Sequence, residues 1–497
     1  MRNFNKKHVL AITLISVAYL LAAASLASRR APWDDEGWFA DPAYTLLTRG
    51  YMGSPIIHPR GTWLAGELTG IQTYTYWIMP GSPLLQSVWY RVFGFGLMQM
   101  RAISISAGLL TIWAWAFLVW KMGNRLAAYL TMAVLAVDVT FLYSASDGRM
   151  DMTTAAFGSL GLAVFVGLRE RNLTLSLLAA NSLIAAGVFC HPNGAIYAFL
   201  LLLFIARYHV RALRWRHLLC LAPYFVLAGA WAVYILQRPD YFIAQFRANA
   251  EPPVGNRMAG LRHPLNMLAQ EFTGRYLQHF GGLGGNSVWA QFPPLMRIVP
   301  FLYWGCAIWL LAEGVLKKNR SHIFLGFCAV ATFLFMGIFV ALKSPCYLVA
   351  ILPLYAACMA LAIFPEPGRF ARIPLSMLTI LLVAQGLCLS SALRHDDYHD
   401  GYLPAVSYLK EHASQQTSIN GSPGLLFALP TYRLVSDSRL HEPAEYVVLD
   451  RWYRFWVLSF YGYYEPQTTV EVQRKLEMYE PVWERGGWTI LHRRPLQ

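Results

Sequence analysis

Between Val9 and Leu393 one apolar stretch follows another, each of roughly the 20 residues that carry an α-helix across a hydrocarbon core. Nothing else in the sequence constrains the fold as strongly. Hydrocarbon offers no water to a stray N–H or C=O, so each run must close its own backbone hydrogen bonds as a helix. With 56% hydrophobic and 14% charged residues the chain lies outside the range of a soluble domain. Eleven runs can be drawn, near 9–27, 102–120, 126–143, 152–168, 173–190, 194–208, 217–236, 298–316, 323–342, 346–364 and 373–393. The expectation is an all-α polytopic membrane domain over residues 1–393 and a small C-terminal α/β domain over 394–497.

Charge orients the runs. The tail from Arg394 holds 11 Lys/Arg against 13 Asp/Glu, a charge of −2, so the membrane part carries +16 to give the total of +14. Basicity therefore belongs to the membrane loops, which argues against nucleic acid as a partner. If Arg2, Lys6 and Lys7 are cytoplasmic, the later inside connections hold Lys121 and Arg125, then Arg169 and Arg171, then Arg207, Arg211, Arg214 and Arg216, then Lys317, Lys318 and Arg320, and finally Arg369 and Arg372. Each is basic, as the positive-inside rule asks. The apolar stretch 78–98, broken by Pro80, Pro83, Arg91, Gly94 and Gly96, would invert this order if it crossed, and reads as interfacial or re-entrant. The first run ends Ala-Ser-Leu-Ala-Ser like a signal peptide but is long for one, and reads as a span. All seven cysteines lie in or beside apolar runs, so no disulfide framework or CxxC metal site is indicated. The outer side then receives loops 28–101 and 237–297, the tail, and nearly every candidate chemical group.

Asp34, Asp35 and Glu36 follow directly on the first run. Acids at a bilayer boundary cost solvation energy and add nothing to spanning, so function is their default explanation, with a solvated acidic cap as the plain alternative. Asp41-Pro42 marks a helix start, and Tyr44, Leu46 and Leu47 with Gly50 suggest a short helix along the membrane surface. Asp147, Arg149 and Asp151 sit at the next outer turn, with the two acids on one helix face and Arg149 turned partly away; they suit an acceptor, a divalent cation or a mere internal ion pair. Asp138, inside a span, faces a polar cavity or caps a helix break. His191-Pro-Asn193-Gly is a tight outer turn whose His and Asn the turn itself does not need. Lys343 and Tyr347 open the tenth run, where a cation suits a phosphate and a snorkelling lysine is the ordinary alternative. Loop 237–297 carries Arg238, Arg247, Arg257, Arg262, Arg275 and Arg297 against Asp240, Glu251 and Glu271, a basic surface that fits anionic headgroups or a phosphate-linked substrate.

In the tail, Leu403 to His412 reads as a helix, Leu425 to Leu429 and Tyr446 to Leu449 as strands, Val470 to Tyr479 as a helix and Trp488 to His492 as a strand. The aromatic cluster Trp452, Tyr453, Phe455, Trp456, Tyr461, Tyr463 and Tyr464 reads as packing or membrane-facing in preference to a sugar platform.

Asp-Glu just past the first span, a helix after it, Arg-Met-Asp at the outer end of a later span and Lys-x-x-x-Tyr opening a late one resemble the GT-C glycosyltransferases that use lipid-linked sugars. Within them the chain is similar to the bacterial relatives of protein O-mannosyltransferases and of the lipid A aminoarabinose transferase, over roughly residues 8 to 365. The resemblance implies transfer of a sugar, with inversion, from a polyprenyl phosphate to a glycolipid, glycan or protein acceptor at the outer face of a bacterial inner membrane. It makes Asp35 the base or acceptor-orienting carboxylate and Glu36 its support. Asp147, Arg149, Asp151, His191, Asn193, Lys343 and Tyr347 become substrate-binding residues, although His191 stands where relatives often have Lys. The partners implied are membrane lipids, the donor lipid and the acceptor; no cofactor and no metal ligand is assigned. A magnesium or manganese ion would suit clustered carboxylates without being required. The rival class is a transporter or flippase of lipid-linked sugars. Such proteins often show paired repeats and midplane sites; this chain has no internal repeat, an odd number of spans and its polar groups at one face.

Overall fold

Among the described residues, eight helices are long and apolar enough to cross a bilayer, or nine if a bent pair counts as one span. The computed structural model describes residues 6–62, 66–122, 124–250, 259–278, 293–366, 371–455 and 466–495. In chain order the first elements are α1 (Lys6–Arg29), α2 (Asp34–Arg49), α3 (Gly81–Phe93), α4 (Leu97–Lys121), α5 (Arg125–Val137), α6 (Val139–Ala145), α7 (Met150–Leu168) and α8 (Leu173–Cys190). Later crossings are Trp215–Ile235, Arg297–Leu316, Arg320–Phe339 and the helix Arg372–Arg394. The runs near 194–208 and 346–364 form shorter helices, Ala195–Tyr208 and Leu352–Ile363, each entered through a 3-10 turn that begins at a proline. Every residue of Leu352–Ile363 is buried, so this helix lies inside the bundle and its surroundings, not lipid, select its apolar side chains.

The bent crossing is α5 and α6, at 67° to one another about Asp138. Breaking a helix in a membrane frees backbone N–H groups that must find new acceptors. Asp138 supplies one, accepting from Phe141 N–H at 2.9 Å, while Gln385 Oε1 accepts from Val139 N–H at 2.9 Å. Tyr303 Oη at 2.8 Å and Gln385 Nε2 at 2.7 Å donate to the other Asp138 oxygen. Of the two expectations for Asp138, the structure shows the helix-break cap.

The stretch 78–98 does not form a span: α3 has 13 residues, a length of about 20 Å against a core of about 30 Å. Its Leu84, Val88 and Val92, four residues apart, are exposed on one face. The expected helix start at Asp41-Pro42 is corrected. α2 begins seven residues earlier, at Asp34, because three acids in a first turn suit the positive end of the helix dipole and Glu36 accepts the Trp33 N–H, and Pro42 sits inside it. Most of α2 is also buried instead of lying on a surface.

The tail forms a five-stranded sheet of β1 (Ser418–Asn420), β2 (Arg433–Val435), β3 (Tyr446–Leu449), β4 (Tyr479–Arg485) and β5 (Trp488–Arg493), in the order β2-β1-β3-β5-β4. β1 pairs in parallel with β2 and β3, and β5 runs antiparallel between β3 and β4. The helix Leu403–His412 packs on it where the sequence placed it. Leu425 to Leu429 is corrected from strand to the 3-10 turn Pro423–Phe427: Ser422 Oγ accepts from Gly424 N–H at 3.3 Å, and Pro423 has no N–H to give a ladder. Of the aromatic cluster, Trp456, Tyr461, Tyr463 and Tyr464 lie outside the described residues. The sheet's core also contains Trp38, Ile56, Ile57, Leu68 and Ile71 from the first outer loop, so loop and tail bury one apolar surface together.

Candidate functional site

The three acids that open α2 end in three different environments. Glu36 is fully buried, and its Oε2 accepts the Trp33 N–H at 2.9 Å to close the first turn. Arg101 on α4 grips both oxygens, with Nε 2.8 Å from Oε1 and Nη2 2.6 Å from Oε2, and Gly148 N–H donates to Oε1 at 2.8 Å. The remaining Arg101 donors close off the end of α1, on the carbonyls of Ala27 at 2.5 Å, Arg30 at 2.7 Å and Ala31 at 3.1 Å. Burial alone would push the Glu36 carboxyl up, but the Arg101 charge and hydrogen bonds, together with the Trp33 N–H, hold it below the usual range. Glu36 thus stays ionised with four donors on two oxygens. Asp34 accepts the Ser422 hydroxyl from the tail. That leaves Asp35, whose side chain is 32% exposed and whose Oδ2 meets Arg149 Nη1.

Arg149 is the N-cap residue of α7 and does not turn away from the acids beside it, which corrects the expectation. Since α7 starts only at Met150, helix geometry does not govern residues 147–149. The Arg149 Nε donates to Asp151 Oδ2 at 2.8 Å, its backbone N–H to Asp147 Oδ1 at 3.1 Å, and its guanidinium lies over Trp33 and Phe39, 5.1 and 5.3 Å from the ring centres. Burial pushes the Asp147 carboxyl well above the usual carboxylate range. The second oxygens of Asp147 and Asp151 make no hydrogen bond among the described residues.

Asp151 Oδ1 is 3.9 Å from His191 Nε2. The His191 Nδ1 accepts the Asn193 N–H at 3.1 Å, and this directs Nε2 to the carboxylate. Asn193 therefore contributes its backbone here, and its buried Nδ2 has no hydrogen-bond partner among the described residues. The His191 ring lies 5.3 Å from that of Tyr347, on the 3-10 turn Pro345–Ala350. Arg275 also approaches Tyr347, with its guanidinium carbon 5.7 Å from the ring centre. Arg275 Nη1 is 2.6 Å from Glu271 Oε1, and Lys343 Nζ is 3.0 Å from Glu271 Oε2. The Lys343 ammonium also donates to the carbonyls of Gly337 at 2.8 Å and Val340 at 3.0 Å, where the helix Arg320–Phe339 ends.

Asp35, Arg149, Asp151, His191, Tyr347, Arg275, Glu271 and Lys343 thus form one continuous chain of contacts at one end of the bundle. One lobe, Asp35 and Asp151 with Arg149, has formal charge −1; the other, Lys343 and Arg275 with Glu271, has +1. Tyr347 and His191 lie between.

No protein-family model matches the sequence, and no curated protein matches it. Solved structures do match. ArnT from Cupriavidus metallidurans bound to undecaprenyl phosphate aligns over 97% of each chain, with TM-score 0.57 and 15% identity. Its apo state aligns over 97% of each chain, with TM-score 0.53 and 16% identity. The apo archaeal oligosaccharyltransferase of Archaeoglobus fulgidus aligns over 96% of this chain and 70% of its own, with TM-score 0.53 and 12% identity. The chain has the GT-C fold. Within this GT-C bundle the contact chain draws on α2, the start of α7, the end of α8 and the 3-10 turn at Pro345, elements far apart in sequence.

Sequence reasoning missed Arg101, the partner that immobilises Glu36. A cation at the outer end of a span was the available signal, set aside when the run was drawn from residue 102. It also counted Glu271 and Arg275 only as loop charges, although their four-residue spacing was the mark of an intrahelical pair. Ser422 carried no signal at all.

Proposed function

We propose that this protein is an integral-membrane inverting glycosyltransferase that moves a sugar from a polyprenyl-phosphate donor to a glycolipid, glycan or protein acceptor at the outer face of a bacterial inner membrane. One observation carries the reading: Asp35 is the most exposed acid of the triplet, and a run of contacts through His191 and Tyr347 links its negative cluster to the positive cluster of Lys343 and Arg275. Cleaving a glycosyl phosphate builds negative charge on the departing phosphate and leaves the sugar carbon electron-poor. Cations near the phosphate and a carboxylate near the incoming nucleophile both lower that barrier. Asp35 takes the proton of the acceptor hydroxyl or amine as its O or N bonds to the anomeric carbon from the face opposite the phosphate. The C–O bond to phosphate breaks, and the polyprenyl phosphate departs with the electron pair.

Arg149 has two parts in this reading. It holds Asp35 in place in the substrate-free chain, and its guanidinium suits donor oxygens once Asp35 turns to the acceptor. Glu36 supports the base by fixing the first turn of α2. His191, Asn193, Asp147 and Asp151 line the acceptor side, and Lys343 with Tyr347 the donor side. The ArnT structure bound to undecaprenyl phosphate supports a lipid-linked donor by likeness of fold.

The deciding experiment is transfer of radiolabelled sugar from a polyprenyl-phosphate donor to membrane acceptors by wild-type protein and Asp35→Asn. Loss of transfer with insertion and thermal stability retained supports the base role, whereas wild-type rates in the variant remove it.

A further inference from the structure

The structure assigns a second site, away from the contact chain: His58, Asp437 and His441 form a binding site for a zinc-class divalent ion that staples the first outer loop to the tail. The two segments meet as backbone. Ile57 and Ser436 pair as an isolated parallel bridge just beyond β2, with Ser436 N–H donating to Ile56 O at 2.6 Å and His58 N–H to Ser436 O at 3.1 Å. Ser438 adds its N–H and its hydroxyl to Gly61 O, each at 2.8 Å. This register sets His58 opposite the turn that starts at Asp437. A Cβ on Gly61 would lie 2.5 Å from Asp437 Oδ1, so a glycine is what lets the carboxylate come so near the loop.

Asp437 is buried and folds its own turn, accepting Arg439 N–H on Oδ1 at 3.1 Å and His441 N–H on Oδ2 at 2.6 Å. The turn returns the His441 ring over the carboxylate, with Nδ1 3.0 Å from Oδ1. The His58 ring stacks on that of His441 at 4.8 Å between centres and 15° between planes. His58 Nδ1 accepts the Arg60 N–H at 3.3 Å, which leaves Nε2 to ligate. One nitrogen from each ring and one Asp437 oxygen all lie within 4.8 Å of one another.

Two neutral imidazoles and a carboxylate suit zinc and its neighbours better than magnesium or calcium, which favour oxygen ligands. Around a tetrahedral ion with bonds of about 2.0–2.1 Å the ligand atoms stand roughly 3.3 Å apart. The Asp437–His441 separation is already near that value, and rotation of the two partly exposed rings closes the rest, with water as the fourth ligand. Backbone N–H groups on the carboxylate fix its orientation, as the outer shell of a metal site does. The plain alternative is a stacked histidine pair over a turn-capping aspartate that binds no ion. The assignment is independent of the transferase reading, and so is its readout.

The test uses the full chain purified in detergent, stripped with a chelator and titrated with Zn2+ alone. The expected result is about one equivalent bound per chain, a rise in the midpoint of thermal unfolding, and loss of both in His58→Ala and His441→Ala, with affinity falling at least about tenfold in each. Gel filtration checks that the variants remain monodisperse. If they do not, Co2+ added to the wild-type chain decides, since a low-coordinate nitrogen and oxygen site gives an intense visible band. Absence of saturable Zn2+ binding, absence of that band, or unchanged binding in a folded His58→Ala/His441→Ala variant overturns the assignment.

Discussion

Arg101 and Glu36 meet in full burial through two parallel hydrogen bonds, 2.8 and 2.6 Å long, and the pair joins the end of α1, the start of α2, α4 and the turn at Gly148. Desolvating both ions costs several kcal/mol, which this geometry offsets by giving every oxygen and most of the guanidinium a partner. Removing one ion leaves the other charged and buried without its counter-ion. Glu36→Gln is therefore expected to cost about 3–5 kcal/mol and to appear as a lower midpoint of thermal unfolding in detergent. Arg101→Lys should behave alike, because an ammonium cannot make the paired grip. A midpoint equal to wild type in both variants would contradict the keystone role.

Asp35 should separate from Glu36 in the same assay. Asp35→Asn keeps the shape, loses the charge and is expected to leave the midpoint within a few degrees of wild type. Transfer should fall by about a hundredfold or more, the usual contribution of a positioned base. Comparable losses of stability in the two variants would mean that both acids are structural.

Lys343→Ala leaves Glu271 paired with Arg275 and removes one charge from the positive lobe. Steady-state transfer at varied donor concentration should show a raised KM for the polyprenyl-phosphate sugar with a smaller change in kcat. An unaltered donor dependence would reduce Lys343 to a cap on the helix Arg320–Phe339.

Asp41 gives a pH-dependent prediction. Burial pushes its carboxyl up to about 8 from an ordinary value of 3.8, against the hydrogen bonds from Ile56 N–H and Thr45 Oγ1 that lower it. In that window the folded state holds a proton that the unfolded chain releases, so stability falls as pH rises. Asp41→Asn cannot ionise. Its midpoint relative to wild type should climb between about pH 5 and pH 8, and parallel curves for the two proteins would show that Asp41 is ionised in the fold.

Much of the bundle was readable because its cause is local. Any apolar run placed in hydrocarbon must bond its own backbone, so the apolar helices follow from sequence composition alone. The tail's helix Leu403–His412 and strand Tyr446–Leu449 were legible for the same reason, from helical spacing of apolar residues in one and a short β-branched apolar run in the other. The start of α2 was missed because Asp41-Pro42 imitates a first turn, while the true signal was the acid triplet itself. Leu425 to Leu429 was missed because five apolar residues do not distinguish a strand from a 3-10 turn.

Sequence by itself determined that acids and cations would gather at one end of a helical bundle. It could not apportion them. Asp34, Asp35 and Glu36 are equivalent as letters, and only the packed molecule gives one to Ser422, one to Arg149 and one to Arg101. Sequence also could not show that the Lys343 ammonium is held by Glu271 and two carbonyls, so that a donor phosphate would share it with them. The physical reason is that a side chain's reactivity depends on its burial and its partners, and these are fixed by residues tens to hundreds of positions away, brought together only when the helices pack.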